Sequence, residues 1–154
     1  MGLGSGGCPG LSQALAAEVA SRCADEGGFD AVTLDEHGVM LFFRGDHVWK
    51  GFHGPAQLIN ATWPEIQGPV DAALRIHHKE APGVHDSVYL FQGSKVYIYR
   101  VGQGYTLVQG YPRGLEEELG ITGADATFTC PHSAELFVIK GVGRARPGEK
   151  GSEV

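Results

Sequence analysis

One pattern occurs three times along this chain and constrains its fold more than any other feature. Each copy begins with an Asp-Ala pair, at Asp30, Asp71 and Asp125, and continues through a polar gap to an apolar strand and a glycine. The aspartates are 41 and then 54 residues apart. Strand-built repeats of about 40–50 residues are typical of β-propeller blades. Because one small sheet is marginally stable in water, each copy needs a neighbour to cover its face.

The middle copy shows the predicted strands most clearly. Two apolar runs, residues 88–91 and 96–99, are rich in Val, Tyr, Phe and Ile and flank a turn that contains Gly93. This arrangement is the usual signal for a β-hairpin. In the first copy, residues 35–38 and Gly45-Asp46 predict turns between strands. The sequence therefore predicts an all-β fold with blades at residues 27–66, 67–120 and 121–142.

The two ends of the chain lack this strand pattern. Leu11, Leu15 and Val19 recur at helical spacing and predict a short N-terminal helix within residues 1–22. That segment has neither the basic start nor the unbroken apolar stretch of a secretory signal. Residues 143–154 have no apolar period and predict a disordered tail.

Four stretches of the chain resemble hemopexin repeats, and the similarity extends over residues 23–142. The stretches are Phe29-Asp30-Ala31, residues 41–49, residues 69–73 and residues 104–112. A tryptophan after the glycine and a Gly-Tyr-Pro sequence between repeats carry the resemblance, which is closer to the haem-binding members than to the matrix-protease exosite domains. A closed propeller of this family has four blades. The resemblance thus implies a partial four-bladed propeller, with two full blades and part of a third.

The resemblance also implies a function, which is haem binding, scavenging and transport in extracellular fluid. Haem iron accepts imidazole ligands readily. His53 follows Trp49 in the segment where a blade-borne iron ligand is expected, and Phe52, Trp49 and Trp63 are candidates to pack on the porphyrin. The alternative is a surface histidine in a Gly-Pro loop, with Trp49 a residue that packs within the blade. The chain as a whole is then a non-catalytic protein-interaction module, or a fragment without haem binding.

The resemblance places the three Asp-led strands around a central tunnel. Carboxylates and backbone carbonyls there suit a hard cation such as calcium or sodium, so Asp30, Asp71 and Asp125 are candidate ligands. The alternative is that these carboxylates only accept hydrogen bonds from backbone N–H groups of neighbouring blades.

Several features suit a secreted protein. Asn60-Ala61-Thr62 is an N-glycosylation sequon. The three cysteines are an odd number, which leaves one without a partner in the chain. The resemblance implies that a cysteine before the first blade or in a later blade is bridged to one near the fourth, so Cys23 and Cys130 either pair with each other or have lost their partners. A cell-surface receptor or a second propeller domain is a further expected partner.

Other functional classes find little support in the sequence. A net charge of −6 argues against a nucleic-acid partner, and no apolar run is long enough to span a membrane. The chain lacks the Gly-x-Ser-x-Gly, His-Glu-x-x-His and phosphate-loop motifs, so we expect no enzymatic activity. His77, His78 and His85 lie in a polar stretch that most simply forms a solvated loop.

Overall fold

The structure is a computed structural model that describes residues 28–76, 87–130 and 135–141. Several predictions fall outside these residues. They are the N-terminal helix, the tail after residue 142, Cys8, Cys23, His77, His78 and His85.

The first sheet, called blade 1, contains four antiparallel strands in chain order. Its strands are β1 (Ala31–Leu34), β2 (Met40–Arg44), β3 (His47–Lys50) and β4 (Ala56–Leu58). The β2–β3 hairpin turns at Gly45-Asp46, as predicted, and pairs Phe43 with Val48. A one-turn helix, α1 (Ile59–Thr62), follows the outer strand.

The second sheet, blade 2, repeats this plan and adds a short fifth strand. Its strands are β5 (Ala72–Ile76), β6 (Ser87–Gln92), β7 (Lys95–Val101), β8 (Tyr105–Leu107) and β9 (Arg113–Gly114). β9 pairs with β7 beside the hairpin turn and leads into helix α2 (Leu115–Leu119). Blade 3 is the two-stranded antiparallel sheet of β10 (Ala126–Thr129) and β11 (Leu136–Ile139).

The first strands of the three blades lie side by side. β1 contacts β5, and β5 contacts β10. This is how the inner strands of adjacent propeller blades meet. The all-β prediction, with two full blades and part of a third, is confirmed. The sheets at 31–58, 72–114 and 126–139 lie within the ranges predicted for the blades, although the domain boundaries themselves stay predictions.

Two apolar layers hold the blades together. Between blades 1 and 2 the layer includes Phe43, Trp63, Leu90 and Tyr99, each at most 1% exposed. Between blades 2 and 3, Phe91, Ile98 and Leu115 pack with the half-buried Leu136 and Val138. Since each layer is built from two different blades, no blade buries its apolar face alone.

Candidate functional site

Each of the three repeated aspartates accepts a hydrogen bond from a glycine that comes after the second strand of its own blade. In blade 1, Gly45 N–H donates to Asp30 Oδ2 at 2.7 Å, and in blade 2, Gly93 N–H donates to Asp71 Oδ2 at 2.6 Å. In blade 3, Gly141 N–H donates to Asp125 Oδ2. Each aspartate also donates its backbone N–H, at 2.8 Å, to the carbonyl two residues before that glycine. The repeated Asp therefore ties the start of the inner strand to the second strand and the glycine after it.

This arrangement corrects one of the two interpretations of the aspartates. The carboxylates accept hydrogen bonds from backbone N–H groups of their own blades and not, as the alternative interpretation has it, from those of a neighbouring blade. Among the described residues, no three His, Cys, Asp or Glu side chains are grouped as metal ligands. A tunnel cation held by Asp30, Asp71 and Asp125 stays a prediction.

Alanine in place of Asp71 should destabilise the chain by about 1–2 kcal/mol, because the Gly93 N–H then loses its acceptor. Asparagine should cost less, because its amide oxygen can still accept that hydrogen bond. Urea unfolding of both variants measures the difference. Equal losses for the two would mean that the charge, and not the turn contact, matters. If calcium raises the unfolding midpoint of the wild type but not of Asp71→Asn, the carboxylate also holds a cation.

His53 lies on an exposed turn directly after β3. The turn needs glycine at two positions, because Gly51 has φ +70° and a Cβ at residue 54 would stand 2.1 Å from the Lys50 carbonyl oxygen. His53 is exposed, and the neighbouring Phe52 side chain is 67% exposed. The sequence therefore shapes a turn that presents an imidazole and an aromatic ring to solvent.

An aromatic row extends from this turn across one face of blade 1. The Phe52 ring packs on Phe42 at a centroid distance of 5.6 Å, and Phe42 packs on Phe29 at 4.9 Å. Phe29 in turn meets the edge of Trp49 at 6.1 Å. Such tilted contacts are the geometries that aromatic pairs prefer. The row leaves Phe29 and Phe52 available to an apolar ligand.

The two tryptophans are not available in this way. Their burial corrects the interpretation of Trp63 as a porphyrin contact and agrees with the alternative for Trp49, a residue that packs within the blade. Trp49 is 2% exposed and lies beneath the row. Trp63 is 1% exposed and packs between blades 1 and 2 against Phe43 and Tyr105. Of the three proposed aromatic neighbours of His53, only Phe52 faces solvent.

Arg44 and His47 lie on the same face as the aromatic row and were not singled out from the sequence. The Arg44 guanidinium carbon stands 5.5 Å from the Phe29 ring centre and 5.4 Å from that of Trp49, in cation–π contact. His47, the register partner of Arg44, lies 6.2 Å from Trp49. The alternation of β2 and β3 places residues 42, 44, 47 and 49 on one face, and this period-two pattern was the available signal.

Two shallow cavities open elsewhere on the surface. One, of about 270 Å³, lies between α1 and the Gly68 turn and is bordered by Asp46 and Asn60. The other, of about 460 Å³, is lined by residues of β7 and β8 that include Arg100 and Leu107. Neither has a histidine in its lining. The candidate haem site, on the surface around His53, therefore lies outside these two cavities.

The buried Tyr99 and the partly buried Tyr105 join blade 2 to blade 1 and to the segment that follows blade 1. Tyr99 Oη donates to Glu65 at 2.9 Å, and Tyr105 Oη donates to Glu36 at 3.1 Å. Burial first, and then these carboxylates, raise the pKa of both phenols above the usual value. They thus stay neutral hydrogen-bond donors at physiological pH and act as links between blades.

The other predicted site residues are placed as follows. Asn60 is exposed on α1. Cys130 is half-buried at the end of β10 and is a free thiol in the described part of the chain. Its candidate partner, Cys23, lies outside the described residues, so the pairing stays a prediction. No helix among residues 28–76, 87–130 and 135–141 is long and apolar enough to cross a membrane.

Comparison with known proteins identifies relatives of this chain, although no protein-family model matches it. The chain is 44% identical to hemopexin of Bos taurus over 115 residues, which is 73% of this chain and 23% of that protein. It is 39% identical to hemopexin of Danio rerio over 121 residues, or 71% of this chain and 26% of the relative. Stromelysin-2 of Rattus norvegicus is 33% identical over 104 residues, which is 62% of this chain and 19% of stromelysin-2.

The chain thus spans about a quarter of the length of the curated hemopexins that it matches. The matched length, the three Asp–Gly links and the side-by-side inner strands agree with one another. The chain belongs to the hemopexin-repeat family, as a partial copy.

Proposed function

We propose that this chain is a non-catalytic haem-binding protein of extracellular fluid, and that haem binds at the turn that carries His53. The observation that carries this proposal is the joint exposure of His53 and Phe52 at the end of an aromatic row. The similarity to proteins named hemopexin supports it. Haem is the cargo here, and the chain supplies an iron ligand and an apolar surface.

The residues around His53 have the chemistry that haem requires. A neutral imidazole can ligate the iron. Phe52 and Phe29 offer exposed ring surface to the apolar part of the porphyrin. The Arg44 guanidinium, on the same face, has the charge that attracts the propionate groups. An open surface covers only part of a ligand of this size, so we expect weaker binding than in an enclosed site.

Replacing His53 by alanine should weaken haem binding at least about tenfold, equivalent to about 1.4 kcal/mol. The reason is that the variant loses its iron ligand but keeps the aromatic row. Titration of the chain with haem, followed by the shift of the Soret band, measures the affinity. His37→Ala is the matched control, because His37 is also on an exposed turn and its side chain is 73% accessible. Equal titration curves for His53→Ala and the wild type would remove His53 from the site.

We also propose that the chain is glycosylated at Asn60 in a secretory host. Asn60 is exposed on α1 and Thr62 completes the sequon, so the acceptor amide is accessible. We expect a decrease in apparent mass on treatment with peptide N-glycosidase, and its absence in Asn60→Gln. Thr62→Ala should give the same result, because it also destroys the sequon. A wild-type chain that is secreted without a change in mass on treatment would contradict the proposal.

A further inference from the structure

The blades of this chain pack on one another by a single rule. The face of each sheet that carries the alanine after the repeated Asp is called its alanine face, and the other side is called its opposite face. In blade 1 the alanine face has Ala31, Phe43 and Val48 in register, and in blade 2 the same positions are Ala72, Phe91 and Val96. All six residues are at most 7% exposed.

Each buried alanine face lies against the opposite face of the following blade. The alanine face of blade 1 packs with Ala73, Leu90 and Tyr97 of blade 2. The alanine face of blade 2 packs with Leu136 and Val138 of blade 3. The same type of joint therefore occurs twice, always in the same direction along the chain.

This rule leaves one face of each type uncovered by another described blade. On blade 3 the alanine face carries Phe128, Phe137 and Ile139, which are 47%, 36% and 51% exposed. The Phe128 and Phe137 rings stack at 5.0 Å with 9° between their planes. On blade 1 the opposite face carries Val32 and Leu34, 41% and 39% exposed, beside the aromatic row. Apolar patches of this kind on a protein surface are typical of interaction sites.

We propose that a second copy of the chain covers these faces, with the alanine face of blade 3 in one copy packed on the opposite face of blade 1 in the next. This contact continues the joint already made twice within each chain. The register supports the match, because Val32, Phe42 and Trp49 occupy the positions that Ala73, Leu90 and Tyr97 occupy in the receiving face of blade 2. Each copy has both the alanine face of blade 3 and the opposite face of blade 1. It can therefore bind one further copy through each of these two faces.

Such a contact joins two different surfaces and is therefore heterologous. Assembly can continue beyond a dimer until the rotation between copies closes a ring.

Haem is left out of the experiment because its proposed site lies on the same face of blade 1. The wild-type chain should then show a mass that increases with concentration in analytical ultracentrifugation. Phe128→Asp blocks one half of the joint and Val32→Asp blocks the other, and each variant alone should be monomeric. Because each variant keeps the half that the other has lost, an equimolar mixture should form a one-to-one dimer that does not grow further.

A control variant and two measurements of folding keep the result interpretable. Gln103→Asp adds the same charge in the exposed β7–β8 turn and should assemble like the wild type. Circular dichroism and thermal unfolding show whether the aspartate variants fold. Phe128→Ser and Val32→Thr replace them if they do not. A wild-type chain that stays monomeric at all concentrations would overturn the proposal, and so would a mixture of the two blocked variants that stays monomeric. Single variants that still assemble would overturn it as well.

Discussion

Alanine in place of Trp63 is expected to destabilise the chain by about 3–5 kcal/mol, the usual cost of removing a large buried aromatic side chain. Trp63 is 1% exposed and lies in the layer between blades 1 and 2. Its ring contacts Phe43 of blade 1 at 5.5 Å and Tyr105 of blade 2 at 4.9 Å. Alanine would therefore leave a cavity in the joint itself. Chemical denaturation followed by tyrosine fluorescence and circular dichroism measures the loss.

Phenylalanine at the same position is the matched control. It keeps an aromatic ring between the blades, and it removes the indole N–H, for which no hydrogen-bond partner is found among the described residues. Since a buried donor without a partner costs free energy, part of the loss of volume is offset. Trp63→Phe should thus be much less harmful than Trp63→Ala. Equal destabilisation by both variants would mean that a phenyl ring does not replace the indole in the joint, so that the full indole ring system is needed to fill it.

The strands and hairpins of the blades could be predicted from the sequence because their signals are local. The Asp-Ala pair, the apolar run and the glycine lie close together in each copy, and the turn at Gly93 appears in the structure where it was expected. One of the two interpretations of the aspartates, that they accept hydrogen bonds from a neighbouring blade, is wrong. Alternation along a strand tells which residues share a face, but it does not tell which backbone N–H group a carboxylate reaches.

The contacts of Trp63 and the composition of the candidate site could not be predicted in the same way. Residues 56–66 have no strong periodicity, and the partners of Trp63 lie 20 residues before it and 42 residues after it, at Phe43 and Tyr105. Such pairs meet only after two sheets have packed. The cover of Trp49 is likewise non-local, since the Phe29 ring that meets its edge lies before β1 and 20 residues away in the sequence. Sequence reasoning located His53 but not the face beside it.

A second large loss of stability, of about 2–4 kcal/mol, is expected for Asp35→Ala in the β1–β2 turn. Asp35 is 0% exposed. Its Oδ1 accepts hydrogen bonds from the N–H groups of His37 and Val39, both at 2.8 Å, and its Oδ2 lies 2.6 Å from Lys50 Nζ. Alanine would leave both N–H groups without this acceptor and would separate Lys50 from its counter-charge. Asp35→Asn keeps an acceptor for the N–H groups but removes the charge, so it should cost less.

The pH dependence of stability separates the charge of Asp35 from its hydrogen bonds. Burial raises the pKa of Asp35, but Lys50 and the two N–H groups outweigh burial, so the pKa lies below the usual value. A lowered pKa in the folded state stabilises the chain above the unfolded-state pKa of about 3.9, and this contribution is lost as the pH falls through the folded-state value. The hydrogen bond to Asp35 raises the pKa of Lys50, so the contribution of Lys50 to stability is lost only as the pH rises above the ordinary lysine value.

Urea unfolding measures the free energy of unfolding of the wild type and of Asp35→Asn. The wild type should be more stable by a constant amount near neutral pH, and this difference in stability should shrink below about pH 4. A difference that persists undiminished to pH 2 would show that the charge on Asp35 does not stabilise the fold.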